Sequence, residues 1–155
     1  MNARPRLDAI REQLERFPLS IIQLAMRIAV GAVFFRSGLL KVGSWEFAVQ
    51  LFRDEYKVPL LDPAVAAHLA AAVELGVPPF LFAGLATRIA TLPLLGMIAV
   101  IQTFVYPDAW TDHLLWGSIL VFLLTRGPGV ISVDQIVAKL WSRRTTGQTA
   151  AASAR

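Results

Sequence analysis

The chain has 155 residues, 55% of them hydrophobic and 17% charged, with a formal net charge of +4 and no cysteine. A soluble domain carries about 25% charged and about 45–50% apolar residues, so this composition favours lipid as solvent and argues against a soluble enzyme or a disordered chain. Without thiols there is no disulfide relay, no thiolate nucleophile, no cysteine-ligated iron–sulfur cluster and no CxxCH haem attachment. Any electrons handled here must travel on a bound cofactor, a quinone or a partner.

The charges are unevenly placed. Four of the 15 Lys and Arg precede Pro18, and five stand at or after Arg126. Basic ends around apolar segments are a membrane pattern, and nucleic acid is not an expected partner. Residues 1–18 lack the apolar run and small-residue cleavage site of a signal peptide. Leu7, Ile10, Leu14 and Phe17 are spaced for one helical face, so 1–18 reads as a cytoplasmic amphipathic segment.

A spanning helix needs about 20 largely apolar residues. Four spans are expected, at about 19–40, 64–85, 87–105 and 110–125, making 19–126 the membrane domain. Between the first two, SWEFAVQLFRDEY reads as a helix on the outer surface or dipping back as a lid. The link Gly84–Arg88 is short enough only for a helical hairpin, with Gly84 ending one helix and Thr87 capping the next. Trp45, Tyr56, Tyr106 and Trp110 stand where an aromatic belt would sit. Beyond the spans, Ser132 and Gln135 have capping-box spacing, and Val133, Ile136, Val137, Leu140 and Trp141 form a stripe. Residues 127–144 therefore read as an interfacial helix against phospholipid head groups, and 145–155 as a disordered tail. The predicted fold is all-α, a transmembrane four-helix bundle with amphipathic helices at both ends and a helical outer loop. Ten Lys and Arg fall on the side of the termini and three (Lys41, Arg53, Lys57) on the other. Both termini are thus expected in the cytoplasm, in a bacterial inner membrane.

Ionisable groups inside spans are costly and mark candidate sites. Arg27, Arg36 and Glu74 are the clear cases, with Lys41, His68, Gln102, His113 and Trp116 toward the outer side. Gln23, Arg27, Gly31, Phe34, Gly38 and Lys41 recur every three or four residues and share one face of the first helix. Arg36, nine residues from Arg27, lies about half a turn away in phase. Glu74 stands about ten residues into its helix, roughly 15 Å deep, and needs a partner, for which an arginine is expected. Pro78 and Pro79 free the carbonyls of Glu74 and Leu75 beside it. Irregular backbone at that depth suits a cavity, and Pro93 and Gly96 loosen the third helix. A quinone, or another small ligand with a polar head, is a compatible occupant. Haem ligation by His68 and His113 is disfavoured, and no metal site is predicted.

The segments RIAVGAVFFRSGLLKV, VELGVPPFLFAGLATRIATLPLLGMIAV and DHLLWGSILVFLLTRGPG, followed by ISVDQI, together resemble the DoxX family. The resemblance runs from about Leu19 to Trp141 on an Arg-led helix ending G-x-x-K, then E-x-G, G-L-x-T-R, H-x-x-W and G-P-G-x-x-S-x-D. Arg27, Gly38, Lys41, Glu74, Gly84, Arg88, His113, Gly127, Pro128, Gly129, Ser132 and Asp134 fall within those elements. The resemblance implies a small bacterial inner-membrane protein with four helices, similar to components of membrane oxidoreductase systems or to proteins encoded beside peptide-modifying or metal-handling enzymes. Whether it is itself an enzyme stays open. Three functions follow as expectations. The first is a membrane subunit or accessory factor of a quinone-linked redox system, with Glu74 relaying a proton, Arg27 or Arg36 fixing its charge and His113 contacting the ligand. The second is a small-solute or metal-related transport or tolerance factor. The third is an anchoring module that recruits a partner oxidoreductase or a peptide- or metal-handling protein. Membrane lipids are expected partners, and a homo-oligomer is compatible with the chain.

Overall fold

The computed structural model describes residues 11–142. The expectations for residues 1–10, for Arg143 and Arg144 and for the tail 145–155 lie outside that range. Among the described residues the structure is helical and contains no strand. After a short helical run at 11–15, α1 spans Leu19–Gly43 and α2 spans Trp45–Leu51, continuing into a π-helical turn at Phe52–Tyr56. Then come α3 (Pro63–Gly76), α4 (Pro78–Ala83) and α5 (Thr87–Val100), which runs into a second π turn at Ile101–Val105. Helix α6 spans Trp110–Arg126, and α7 covers residues 133–142.

Three stretches are long and apolar enough to cross a membrane: Leu19–Gly43, Pro63–Ala83 and Thr87–Val105. Helix α6, with 17 residues, is about 25 Å long against a hydrocarbon core of about 30 Å. It falls short of the fourth expected span by that measure. Large apolar side chains such as Leu39, Leu40, Ile89, Leu92, Leu114 and Leu115 point outward. That surface suits lipid better than water.

Local chemistry sets the boundaries. Pro63 takes the first position of α3, where its missing amide costs nothing, and Asp62 accepts from the amides of Ala64 (2.9 Å) and Val65 (3.4 Å). Val77 separates α3 from α4 because Pro78 and Pro79 have no amides to continue the ladder. Gly84 ends α4 in the left-handed region at φ 67°, and the Leu85 amide bonds back to the Phe80 carbonyl at 2.9 Å. The expected cap of α5 is different. Ala86 holds the N-cap position with φ 46°, and the amides of Ala86 and Thr87 are taken by the Asp134 carboxylate, at 2.7 and 3.1 Å. Thr87 lies inside the helix with its hydroxyl buried. A hydroxyl on the first turn cannot compete with a carboxylate positioned by another segment.

The buried side of α1 consists of Gln23, Arg27, Val30, Gly31, Phe34 and Gly38, the face that the three- and four-residue spacing marks. It packs against α3, α4 and α6, while α5 packs against α6. Gly38 allows α1 and α3 to approach, since a Cβ there would lie 2.7 Å from Leu75 Cγ and 2.9 Å from Glu74 Cβ. Val30, Phe34, Leu81, Leu94, Ile98, Leu120 and Leu123 form the main core. A smaller core of Phe52, Ala66 and Ala67, flanked by Trp45, Val49 and Tyr56, docks the α2 segment onto α3. The segment between α1 and α3 thus folds back onto the helices.

Candidate functional site

Glu74 is buried to 4% exposure on α3. Its partner is Lys41, not an arginine. The ammonium lies 2.8 Å from each carboxylate oxygen and donates a hydrogen bond to Oε1. The exchange of partner follows from axial register. Helix α1 runs antiparallel to the α3–α4 stretch, with Gly31 beside Phe82 of α4 and Gly38 beside Glu74 of α3. Arg27 stands eleven residues below Gly38, about 16 Å along the axis, and so is out of reach. Arg36 lies near the correct level but on the exposed side of α1. The flexible four-carbon stem of Lys41 spans the remaining distance from the end of the helix.

The ion pair stands between two cavities. One, of about 220 Å³, lies between α3, α5 and the two π turns; its walls are apolar, from Leu69, Ala70, Val73, Pro93, Gly96, Met97 and Val100. Glu74 is the single charged residue lining it among the described residues. The other, of about 230 Å³, lies between α1 and α2 and is lined by Ser37, Leu40, Lys41 and Phe47 among others. Phe52 and Tyr56 contribute to both walls. Pro93 and Gly96 on α5 therefore border a cavity, while Pro78 and Pro79 do not line it.

The remaining polar residues separate into two further groups. The Gln102 side-chain oxygen accepts from His113 Nδ1 at 2.6 Å, while its amide nitrogen donates to the Pro107 carbonyl at 2.6 Å. His113 is buried at 6% exposure and lies beside Trp116, which meets Phe34 edge-on. His68 points elsewhere: it is exposed, bonds the Ala64 carbonyl at 2.7 Å and packs on Trp45 at 4.3 Å between centroids. The two histidines do not converge. Of the eight predicted site residues, the structure joins Lys41 to Glu74 and joins Gln102, His113 and Trp116. It leaves Arg27, Arg36 and His68 apart.

Arg27, fully buried, serves the opposite end of the fold. It donates to the Leu81 carbonyl at 3.2 Å and to the Ile131 carbonyl at 2.5 Å. Around it, Gln23 donates to the Gly127 carbonyl at 3.1 Å, Ser20 Oγ accepts from the Val130 amide at 3.2 Å, and the Asp134 amide donates to the Gly84 carbonyl at 3.0 Å. Ser132 accepts from the Gln135 amide at 3.3 Å and so begins α7. The motif residues Gly84, Gly127, Pro128, Gly129, Ser132 and Asp134 thus belong to a clasp. It fastens the chain after α6 over the start of α1 and the α4–α5 turn. Gly84 is required by its backbone and by space, because a Cβ there would enter the Arg27 guanidinium and approach Ser132 Cβ at 2.6 Å. Arg88 lies over Gly127 and reaches the Thr125 carbonyl at 3.5 Å.

Sequence reasoning missed the outer fastening. The Tyr106 hydroxyl donates to Glu55 Oε1, and the Tyr56 and Tyr106 rings meet at 5.6 Å, which ties the first π turn to the second over the Glu74 cavity. Burial holds the Tyr56 phenol above its ordinary range; desolvation and the bond to Glu55 do the same for Tyr106. Both tyrosines read as belt residues, and their pairing across 50 positions has no local signal.

The family model DoxX matches residues 22–107. An uncharacterised protein of Haemophilus influenzae is 27% identical over 128 residues, covering 76% of this chain and 84% of that protein. No solved structure matches the chain significantly. The matched region holds α1 through the second π turn, and with it Arg27, Lys41, Glu74 and the α4–α5 turn. With its long apolar helices, the chain is a membrane protein belonging to the DoxX family.

Proposed function

We propose that this DoxX-family protein is the membrane subunit, or an accessory factor, of a quinone-linked redox system, and that it holds the quinone in the α3–α5 cavity. The observation that carries the reading is an apolar cavity of about 220 Å³ ending on one buried carboxylate. A molecule with an apolar body and a hydrogen-bonding head fits such walls, since a few placed polar groups orient a ligand that apolar contact retains. Glu74 contacts the head and exchanges a proton with it, and Lys41 holds the carboxylate in place. Electrons reach the quinone from a partner protein.

In this reading α6 is the fourth span, shortened between Trp110 and Arg126, and the chain is a four-helix bundle with both basic ends in the cytoplasm of a bacterium. Exposed Ile136, Val137 and Leu140 on α7 lie on the membrane surface beside Lys139.

The test is titration of the purified protein in nanodiscs with a short-chain quinone, read by tryptophan quenching. Saturable quenching is expected in the wild type. It should be lost in Gly96→Leu, which fills the cavity, and weakened in Glu74→Gln. Unsaturable quenching, or equal binding by all three proteins, overturns the proposal. The position of the ion pair between two cavities favours one other class, a small-solute transporter. Flux into proteoliposomes that Glu74→Gln abolishes, with no quinone binding, would replace the first reading by the second.

A further inference from the structure

At the clasp end lies a cleft of about 630 Å³, distinct from the Glu74 cavity, between the starts of α1 and α5, the end of α6 and the chain leading into α7. We infer that it binds the phosphate head group of an anionic phospholipid. Arg88 and Arg126 both line it. Neither has a carboxylate within ion-pair distance among the described residues. Arg88 spends one nitrogen on a long 3.5 Å bond to the Thr125 carbonyl, which leaves the rest of its fork free. Asp134 also lines the cleft, but its two oxygens are engaged by the amides of Ala86 and Thr87. The acid is therefore committed to the α5 terminus, and the arginines are the groups available to a ligand. Two guanidinium forks at one cleft match the bidentate geometry of phosphate.

The surroundings favour a lipid over free phosphate. Leu19, Ile89 and Val130 line the same cleft, and Ile89 is 71% and Val130 60% exposed. A soluble anion gains nothing from that apolar rim, whereas the glycerol and first methylenes of a lipid do. The cleft also stands where the membrane-crossing stretches Leu19–Gly43 and Thr87–Val105 begin, the depth at which head groups lie. Basic pockets between helices at that depth hold anionic head groups.

The experiment is native mass spectrometry of the full chain released from detergent with phosphatidylglycerol, phosphatidylcholine or inorganic phosphate. Phosphatidylglycerol should stay bound at least about tenfold more strongly than phosphatidylcholine. Arg88→Gln and Arg126→Gln should each weaken it about tenfold, the usual size of one charge-assisted bond. Arg53→Gln removes the same charge outside the cleft and should leave binding within about twofold. Equal retention of the two lipids overturns the inference in the wild type alone, whatever the variants do. A loss in Arg53→Gln as large as in Arg88→Gln overturns it as well, by showing a diffuse charge effect. Inorganic phosphate that displaces the lipid at matched concentration assigns the cleft to a soluble anion and also overturns it.

Discussion

Removing Lys41 should cost far more than removing Glu74, although the two form one ion pair. Breaking a buried pair by deleting one partner costs about 3–5 kcal/mol, because the survivor keeps an uncompensated charge. The survivors differ here. Glu74 is enclosed, with 5% of its side chain exposed, while Lys41 retains 16% and sits near the end of α1 on a flexible stem. A stranded ammonium can reach the interface, but a stranded carboxylate at the middle of the Pro63–Ala83 stretch cannot. Lys41→Met should therefore destabilise by about 3–5 kcal/mol and Glu74→Gln by about 1–2 kcal/mol. The double variant, with no charge to strand, should lose no more than about 1–2 kcal/mol. Thermal unfolding in nanodiscs followed by tryptophan fluorescence reads the series, at about 2–4 °C per kcal/mol for a chain of this size. Losses that are equal in the two single variants, and that add in the double variant to within about 0.5 kcal/mol, would refute the reasoning.

Gly84→Ala should destabilise by about 2–4 kcal/mol, since it combines a left-handed backbone with a Cβ forced into Arg27; a drop in unfolding midpoint of less than about 2 °C would contradict it. Asp134→Ala should cost about 1–2 kcal/mol through the lost cap on α5, and Asp134→Asn should restore part of it; amide exchange at Ala86 and Thr87 reads the change locally. The chain has two tyrosines, and both belong to the outer fastening. A phenol whose folded pKa is raised holds its proton above the unfolded value near 10, so stability is full below about pH 10 and falls as pH rises past it. Ultraviolet titration should show less tyrosinate at pH 10 in the folded than in the unfolded protein, and Tyr106→Phe, which removes the hydroxyl that lowers the Tyr56 phenol, should move the Tyr56 ionisation to higher pH. Two ordinary titrations at pH 10 would refute the fastening.

The stripe on α1 was legible because a helical period assigns each residue to a face. Period says nothing about axial offset between helices, and that is why Arg27, on the right face, looked like a partner for Glu74; Arg36 is near its level but on the exposed side, and Lys41 is the one that reaches it. The cavity was foreshadowed by Pro93 and Gly96, which line it and whose backbone consequences are local. His68 and His113 looked equivalent because each begins a helix, yet Trp45 takes one ring and Gln102 and Trp116 take the other. The Asp134 cap was hidden for a different reason. Its acceptor and the amides it serves are 47 and 48 positions apart, so the local candidate, Thr87, was the natural choice. The fourth span illustrates a limit of composition: α6 is apolar, but its 17 residues place it at the edge of what length alone can assign.

The Arg27–Ile131 bond, which joins positions 104 residues apart, has a consequence for how the protein is made. Translation proceeds at about 5–20 residues per second, so about 5–20 s pass between synthesis of the arginine and of the carbonyl that completes its shell. During that interval α1 carries a charge whose final acceptor does not yet exist. A nascent chain halted before Ile131 has the Leu81 carbonyl for that guanidinium but lacks its second acceptor. Closing of the clasp supplies that acceptor, so the polar shell inside α1 is finished by a segment made about a hundred residues later.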